Sequence, residues 1–164
     1  MVSDNDVERV WSLMNKIGFC MLSTRDDEDI RARPMAPHIS REENAVYFLT
    51  DVHSHKDNEI RRNPHVGLAF ADASGQKYVS LTGTDEVSND RQSNDRQKIQ
   101  DLWSTAAAAW WSSPDDPTIR VLKVGLKDAQ YWDSPGTAMS YIKMAAAALT
   151  DTRPDVGRSA KVRM

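Results

Sequence analysis

The sequence predicts an α+β fold, mainly β, in which six or seven strands form an antiparallel barrel that carries helices. Three observations predict it. Short apolar or alternating runs recur along the chain, the turns between most of them are of hairpin length, and one long helical stretch is inserted late. At 164 residues the chain is long enough for one domain with a substantial core.

The elements follow in order. "SDNDVERVWSLMNKIG" opens on Ser3, a plausible N-cap, and sets Val7, Val10, Trp11 and Met14 at helical spacing before Gly18, a natural stop. "FCMLSTR" and "IRARPMAPHIS" read as two strands joined by the acidic turn "DDED". In the second, Arg31, Arg33 and Met35 point one way while Ala32, Pro34 and Ala36 point the other. Its two prolines exclude a central strand and indicate an edge, a bulge or a groove wall. "AVYFLT" is a third strand, "HKDNEIRRNP" a short helix ended by Asn63-Pro64, and "HVGLAFAD" with "KYVSLTGTDEVS" the next hairpin.

The tandem repeat "SNDRQSNDRQ" has no apolar residue and cannot be a repeat architecture. It reads as a polar linker into a helix, with Ser88 or Ser93 as N-cap, that continues through "KIQDLWSTAAAAWW". "TIRVLKVGLKDAQYWDS" predicts two strands broken near Gly125-Leu126-Lys127-Asp128, and "TAMSYIKMAAAALT" a final alanine-rich helix. The expected organisation is one domain over 1–150 and a flexible tail over 151–164.

Composition excludes several classes of function. A net charge of −3 gives no basic footprint for nucleic acid. No apolar run approaches the roughly 18 residues of a membrane span, and the N-terminal residues have no secretory core, so a cytoplasmic protein is expected. The single cysteine, Cys20, sits in an apolar run and reads as a buried, inert thiol.

Site chemistry concentrates in "YFLTDVHSHKDNEIRRNPHVGLAF". Thr50, Ser54, His55 and Lys56 stand between a strand and a helix start, where free amides and the helix dipole favour anions. With Arg31 and Arg33 on a strand expected beside "AVYFLT", they would form a dianion site without a glycine loop. A merely solvated turn is the competing reading. His53 and His55 lie two apart, but no acidic or cysteine partner falls at metal spacing. No nucleophile elbow and no Walker or dinucleotide loop is present. The cluster of Trp103, Trp110 and Trp111 reads as core or subunit packing rather than a ligand platform.

These motifs, together with "ARPMAP", "YVSLTGTDEV" and "AQYWDSPG", resemble the FMN-binding split-barrel superfamily related to pyridoxamine 5′-phosphate oxidase, in its general stress protein branch. The resemblance runs from about Val7 to Leu149. It implies a six- to seven-stranded antiparallel split barrel with FMN as cofactor. It places Arg33, Pro34 and Met35 along the isoalloxazine, Thr50 at the phosphate or ribityl chain, and Ser54, His55 and Lys56 on the phosphate. His55 replaces an arginine often found there, so its charge depends on pH. Tyr78 falls near the flavin on a neighbouring strand, and Trp132 resembles a late tryptophan that reaches the flavin across a dimer interface. A homodimer with the flavin at the subunit seam is therefore implied. After Trp132 the chain reads "WDSPGTAMSYIK", without the arginine-and-histidine pair that grips the substrate phosphate in the vitamin-oxidising members. That departure argues against pyridoxamine phosphate oxidation.

Two functional classes follow from the resemblance. One is an FMN-dependent oxidoreductase acting on an unknown small molecule, with the cofactor supplying the chemistry; no residue stands out as acid or base. The other is a non-catalytic flavin-binding protein that buffers or senses FMN in stress. A haem or deazaflavin variant of the same fold is a third, which the missing axial-ligand pattern disfavours.

Overall fold

The computed structural model describes residues 4–87, 93–150, 152, 153, 155 and 157–164. Ser3 and the first copy of the tandem repeat, Ser88–Gln92, lie outside them. Along the chain run α1 (Asp4–Ile17), β1 (Cys20–Asp26), β2 (Asp29–Met35), β3 (His38–Ser40), β4 (Ala45–Asp51), α2 (His55–Arg62), β5 (His65–Asp72) and β6 (Lys77–Val87). They are followed by α3 (Ser93–Leu102), α4 (Thr105–Ala108), β7 (Ile119–Asp133), α5 (Thr137–Thr150) and β8 (Arg158–Arg163).

The order of the strands explains why the sheet curls. All pair antiparallel, in the path β2-β1-β5-β6-β7-β4-β3, with β8 joined to β7. β2 and β3 stand at opposite ends of that path, yet only Ala36 and Pro37 separate them. That link spans about 10 Å at most, whereas a flat sheet of this width would hold its ends roughly 28 Å apart. The sheet therefore wraps until its ends nearly meet and leaves a seam, which is the geometry of a split barrel.

One face of the sheet and α1 share the main core. Val10, Trp11, Leu13 and Met14 of α1 pack with Leu22, Phe48, Leu68, Phe70, Leu81, Leu122 and Tyr131. Gly18 ends α1 at φ +70°, its amide donating to the Met14 carbonyl at 2.9 Å. A smaller cluster lies on the other face of β4 and β7, where Ala45, Tyr47, Ile119 and Val121 pack under Ile99 of α3. β4 is thus buried on both faces, which accounts for its unbroken apolar run. The half-buried Trp103 and Trp111 pack on this second cluster, whereas Trp110 is 82% exposed.

Four local expectations are corrected. "IRARPMAPHIS" breaks at Ala36-Pro37 into β2 and β3. Pro34 remains in a ladder because β2 is an edge strand, where a missing amide hydrogen is tolerated. The region after the repeat is two helices, because Ser104 takes an extended conformation and its hydroxyl caps a new start by accepting from the Ala107 amide.

β7 is one continuous strand. The register steps from Thr82–Asp128 to Gly83–Leu126, so a bulge absorbs Lys127 and pairing resumes. Gly83 is required there, since a Cβ would lie 2.6 Å from the Gly125 carbonyl oxygen and 2.7 Å from Val124 Cγ1.

The expected flexible tail also departs from the sequence reading: Arg158–Arg163 pair with Asp128–Asp133 as β8. Val162 is buried, and Arg158 reaches the buried Asp6 at 2.7 Å, which also accepts from the Tyr131 hydroxyl at 2.6 Å.

Candidate functional site: a cationic cleft between β2 and α2

Cross-strand partners share a face of the sheet. Arg31, Arg33 and Met35 stand opposite Thr24, Leu22 and Cys20, so all three take the barrel side, as the alternation predicts. The strand they stand on pairs with β1 and not with β4, which lies between β3 and β7. Curling of the sheet, and not a hairpin, brings the arginines to the end of β4.

That end is built by local chemistry. Thr50 is buried, and its hydroxyl lies 3.1 Å from that of Ser54. The His53 amide donates to Asp51 at 2.8 Å, holding the Asp51 carboxyl below its usual pKa range. Ser54 is the N-cap of α2 in extended conformation, but its side chain makes no capping bond to the helix. The Ser54 side chain therefore leaves the first-turn amides of α2 uncapped.

A cleft of about 700 Å³ opens there, lined by Asp26, Arg31, Arg33, Ser54, Lys56, Asn58, Glu59 and Arg62. Among its described lining residues, four cationic side chains meet two carboxylates. Arg31 Nε is 2.8 Å from Asp26, and Arg33 Nη2 is 2.8 Å from Glu59 Oε2. Arg33 Nη1 is buried and has no hydrogen-bond partner among the described residues. An unsatisfied buried donor of this kind is costly in isolation. Burial pushes the Glu59 carboxyl up, but hydrogen bonds from Thr24 and Arg33, together with the arginine's charge, outweigh it and hold the group below its usual range.

The cleft unites four of the residues singled out from sequence, Arg31, Arg33, Ser54 and Lys56, with Thr50 behind them through Ser54. The His55 backbone opens α2; its side chain lies outside the described ones. Pro34 faces away from Arg33, opposite Met21, and Met35 packs half-buried on the core. Tyr78 and Trp132 are direct cross-strand partners on the outer face. At 37% and 39% exposed, they are not among the described residues lining the cleft.

Asp26, Asn58, Glu59 and Arg62 went unnoticed in the sequence. A signal existed for the last three: Lys56 with Glu59, and Asn58 with Arg62, fall at the spacings that share a helix face.

Among the described lining residues, a net excess of two positive charges and a buried guanidinium nitrogen without a partner, beside a helix start, fit a phosphomonoester, which carries about 1.5 to 2 negative charges at neutral pH. Buried Cys20, its thiol pushed up to about 12 by burial, offers no nucleophile. None of the described helices is long and apolar enough to cross a membrane.

Comparison with known proteins agrees with this fold. The family model described as pyridoxamine 5′-phosphate oxidase like matches residues 5–155. General stress protein 26 of Bacillus subtilis is 27% identical over 86 residues, covering 51% of this chain and 58% of that protein. The chain thus matches little more than half the length of that relative. A crystal structure described as a general stress protein 26 from Jannaschia sp. CCS1 superposes with a TM-score of 0.76 at 24% identity, covering 99% of this chain and 100% of that one. The general stress FMN/FAD binding protein of Xanthomonas citri gives a TM-score of 0.68 at 22% identity, covering 80% and 90%. At these identities the two structures speak for the fold.

Proposed function

The chain belongs to the pyridoxamine 5′-phosphate oxidase-like family, and from that premise we propose that it binds flavin mononucleotide with the phosphate in the cleft between β2 and α2. The observation that carries the proposal is Arg33 Nη1, a buried donor with no partner among the described residues, in a cleft whose described cationic side chains outnumber its described carboxylates. The name of the Xanthomonas citri relative, an FMN/FAD binding protein, supports a flavin. The excess of positive charge among the described side chains of the cleft favours the mononucleotide's terminal phosphate.

In this reading Lys56 and the first amides of α2 meet the phosphate, Ser54 donates to it, and Thr50 orients Ser54. Arg33 contributes Nη1, and His55 adds charge only when protonated. The backbone of Arg33, Pro34 and Met35 lines the ring. Bound FMN supplies an electron- and hydride-accepting ring.

Tyr78 and Trp132, exposed on the outer sheet face, reach a flavin only across a dimer seam, so we assign a homodimer. The exposed Met139, Tyr141, Ile142, Met144 and Leu149 of α5 give further apolar surface for a second copy. A cytoplasmic location accords with a single, buried cysteine.

We favour an FMN-dependent oxidoreductase acting on a small molecule over a non-catalytic flavin buffer or sensor. Reduction of the flavin-loaded protein by NADH or NADPH separates the two. Binding is tested by titrating FMN and riboflavin against the protein and following flavin fluorescence. Several charge-assisted bonds of about 1.5–3 kcal/mol each predict at least a hundredfold preference for FMN. Equal affinities would contradict the phosphate assignment.

A further inference from the structure

We propose that Glu59 is a positioning residue for Arg33, holding one arm of the guanidinium so that the other is presented to the phosphate. The proposal rests on the reading of the β2–α2 cleft as a phosphate site. Glu59 lies on the buried side of α2 beside Ile60 and is 5% exposed. Its Oε2 accepts from Arg33 Nη2 at 2.8 Å and also from the Thr24 hydroxyl. One carboxylate oxygen thus ties β1, β2 and α2 together at the wall of the cleft.

The guanidinium is planar, so fixing Nη2 fixes the direction of Nη1. Without that tether a long arginine side chain loses rotamer freedom only when the ligand arrives, which weakens binding.

A carboxylate in an anion site works against the site's charge, and this makes the inference decidable by sign. If Glu59 only neutralised Arg33 or fastened α2 to the sheet, its removal would free a cation and tighten phosphate binding. If it positions Arg33, its removal weakens phosphate binding although a negative charge has gone. Riboflavin, which lacks the phosphate, should be indifferent in either case and reports on the integrity of the fold.

FMN and riboflavin titrations on wild type, Glu59→Ala and Glu59→Gln carry the test, with thermal unfolding in parallel. We expect Glu59→Ala to lose about tenfold in FMN affinity while riboflavin affinity holds. Glu59→Gln, whose amide oxygen still accepts from both donors, should recover most of the loss. Unchanged or tighter FMN binding by Glu59→Ala overturns the proposal.

Should Glu59→Ala fail to fold, Thr24→Val removes the second anchor at nearly constant volume. It should lower FMN affinity about threefold, and an unchanged value there overturns the proposal. A wild-type protein that binds FMN and riboflavin equally removes the phosphate reading itself, and Glu59's role with it. That outcome is distinct because it precedes any substitution.

Discussion

Two ion clusters in this molecule are made of the same residue types and do different things. Around Asp133 both carboxylate oxygens are matched. Lys77 Nζ donates to Asp133 Oδ1 at 2.6 Å and to the Ser134 carbonyl at 2.8 Å, and Arg9 pairs with the other carboxylate oxygen. In the cleft, Arg33 gives one arm to Glu59 and keeps another buried and unmatched among the described residues. The first cluster is closed and joins α1, β6 and β7. The second leaves a buried donor open among the described residues, and a phosphate is the acceptor we propose for it. Unmatched polar groups, more than charge as such, separate a binding site from a fastening.

If the distinction holds, substitutions in the two clusters must sort by readout. The largest effect is expected at the closed cluster. Asp133→Ala leaves Lys77 and Arg9 facing one another, and breaking a partly buried pair should cost about 3 kcal/mol of stability, measured by urea unfolding. Arg9 is 41% exposed, which keeps the cost toward the low end. The ratio of FMN to riboflavin affinity should not move.

The sign with pH follows from the carboxyl's state. Burial pushes the Asp133 carboxyl up, but its bonds to Lys77 and Arg9 and their charges prevail and hold it below the usual range. Its stabilisation is therefore complete above the unfolded value of about 3.9 and fades as pH falls through the lower folded value. Asp133→Asn should blunt acid unfolding in that window.

The open cluster should respond in binding and hardly in stability. Lys56→Ala is expected to cost about 2 kcal/mol of FMN affinity, roughly thirtyfold, with riboflavin affinity and the unfolding midpoint nearly unchanged. A Lys56→Ala protein that folds and binds FMN as wild type does would return the segment 50–56 to an ordinary turn.

The smallest effect belongs to His55. An unperturbed histidine has a pKa near 6.5, so His55→Ala should weaken FMN binding about threefold at pH 6 and hardly at pH 8. Titrations at both values check it, and a loss independent of pH would give His55 a role other than charge.

The sequence revealed the cations of the site better than their environment. Ser54 and Lys56 at a helix start, and Arg31 and Arg33 on one side of a strand, were legible because each is a local pattern. Glu59 was not, because an acidic residue in an anion site reads as the wrong sign until Arg33, 26 positions away, is seen to need it.

The fold divides in the same way. Hairpins and helix stops were local and legible. The break expected near Gly125 was a bulge, since a glycine followed by charged residues reads as a turn when the partner strand is unknown. β8 and the residue after it have only the modest alternation of Ala160, Val162 and Met164. What secures it comes from elsewhere, Asp6 receiving Arg158 and the Lys127 carbonyl receiving the Met164 amide at 2.9 Å.

A crystal structure of the FMN complex would locate the phosphate outright. A rival polar groove exists on the outer face of the sheet, lined by Ser80, Thr82, Asp128, Gln130, Lys161 and Arg163 among others. Phosphate oxygens are expected within hydrogen-bond distance of Arg33 Nη1, the Ser54 hydroxyl and the first amides of α2, with Lys56 beside them. A phosphate seated against Lys161 and Arg163, with Arg33 Nη1 still unmatched, would contradict that placement.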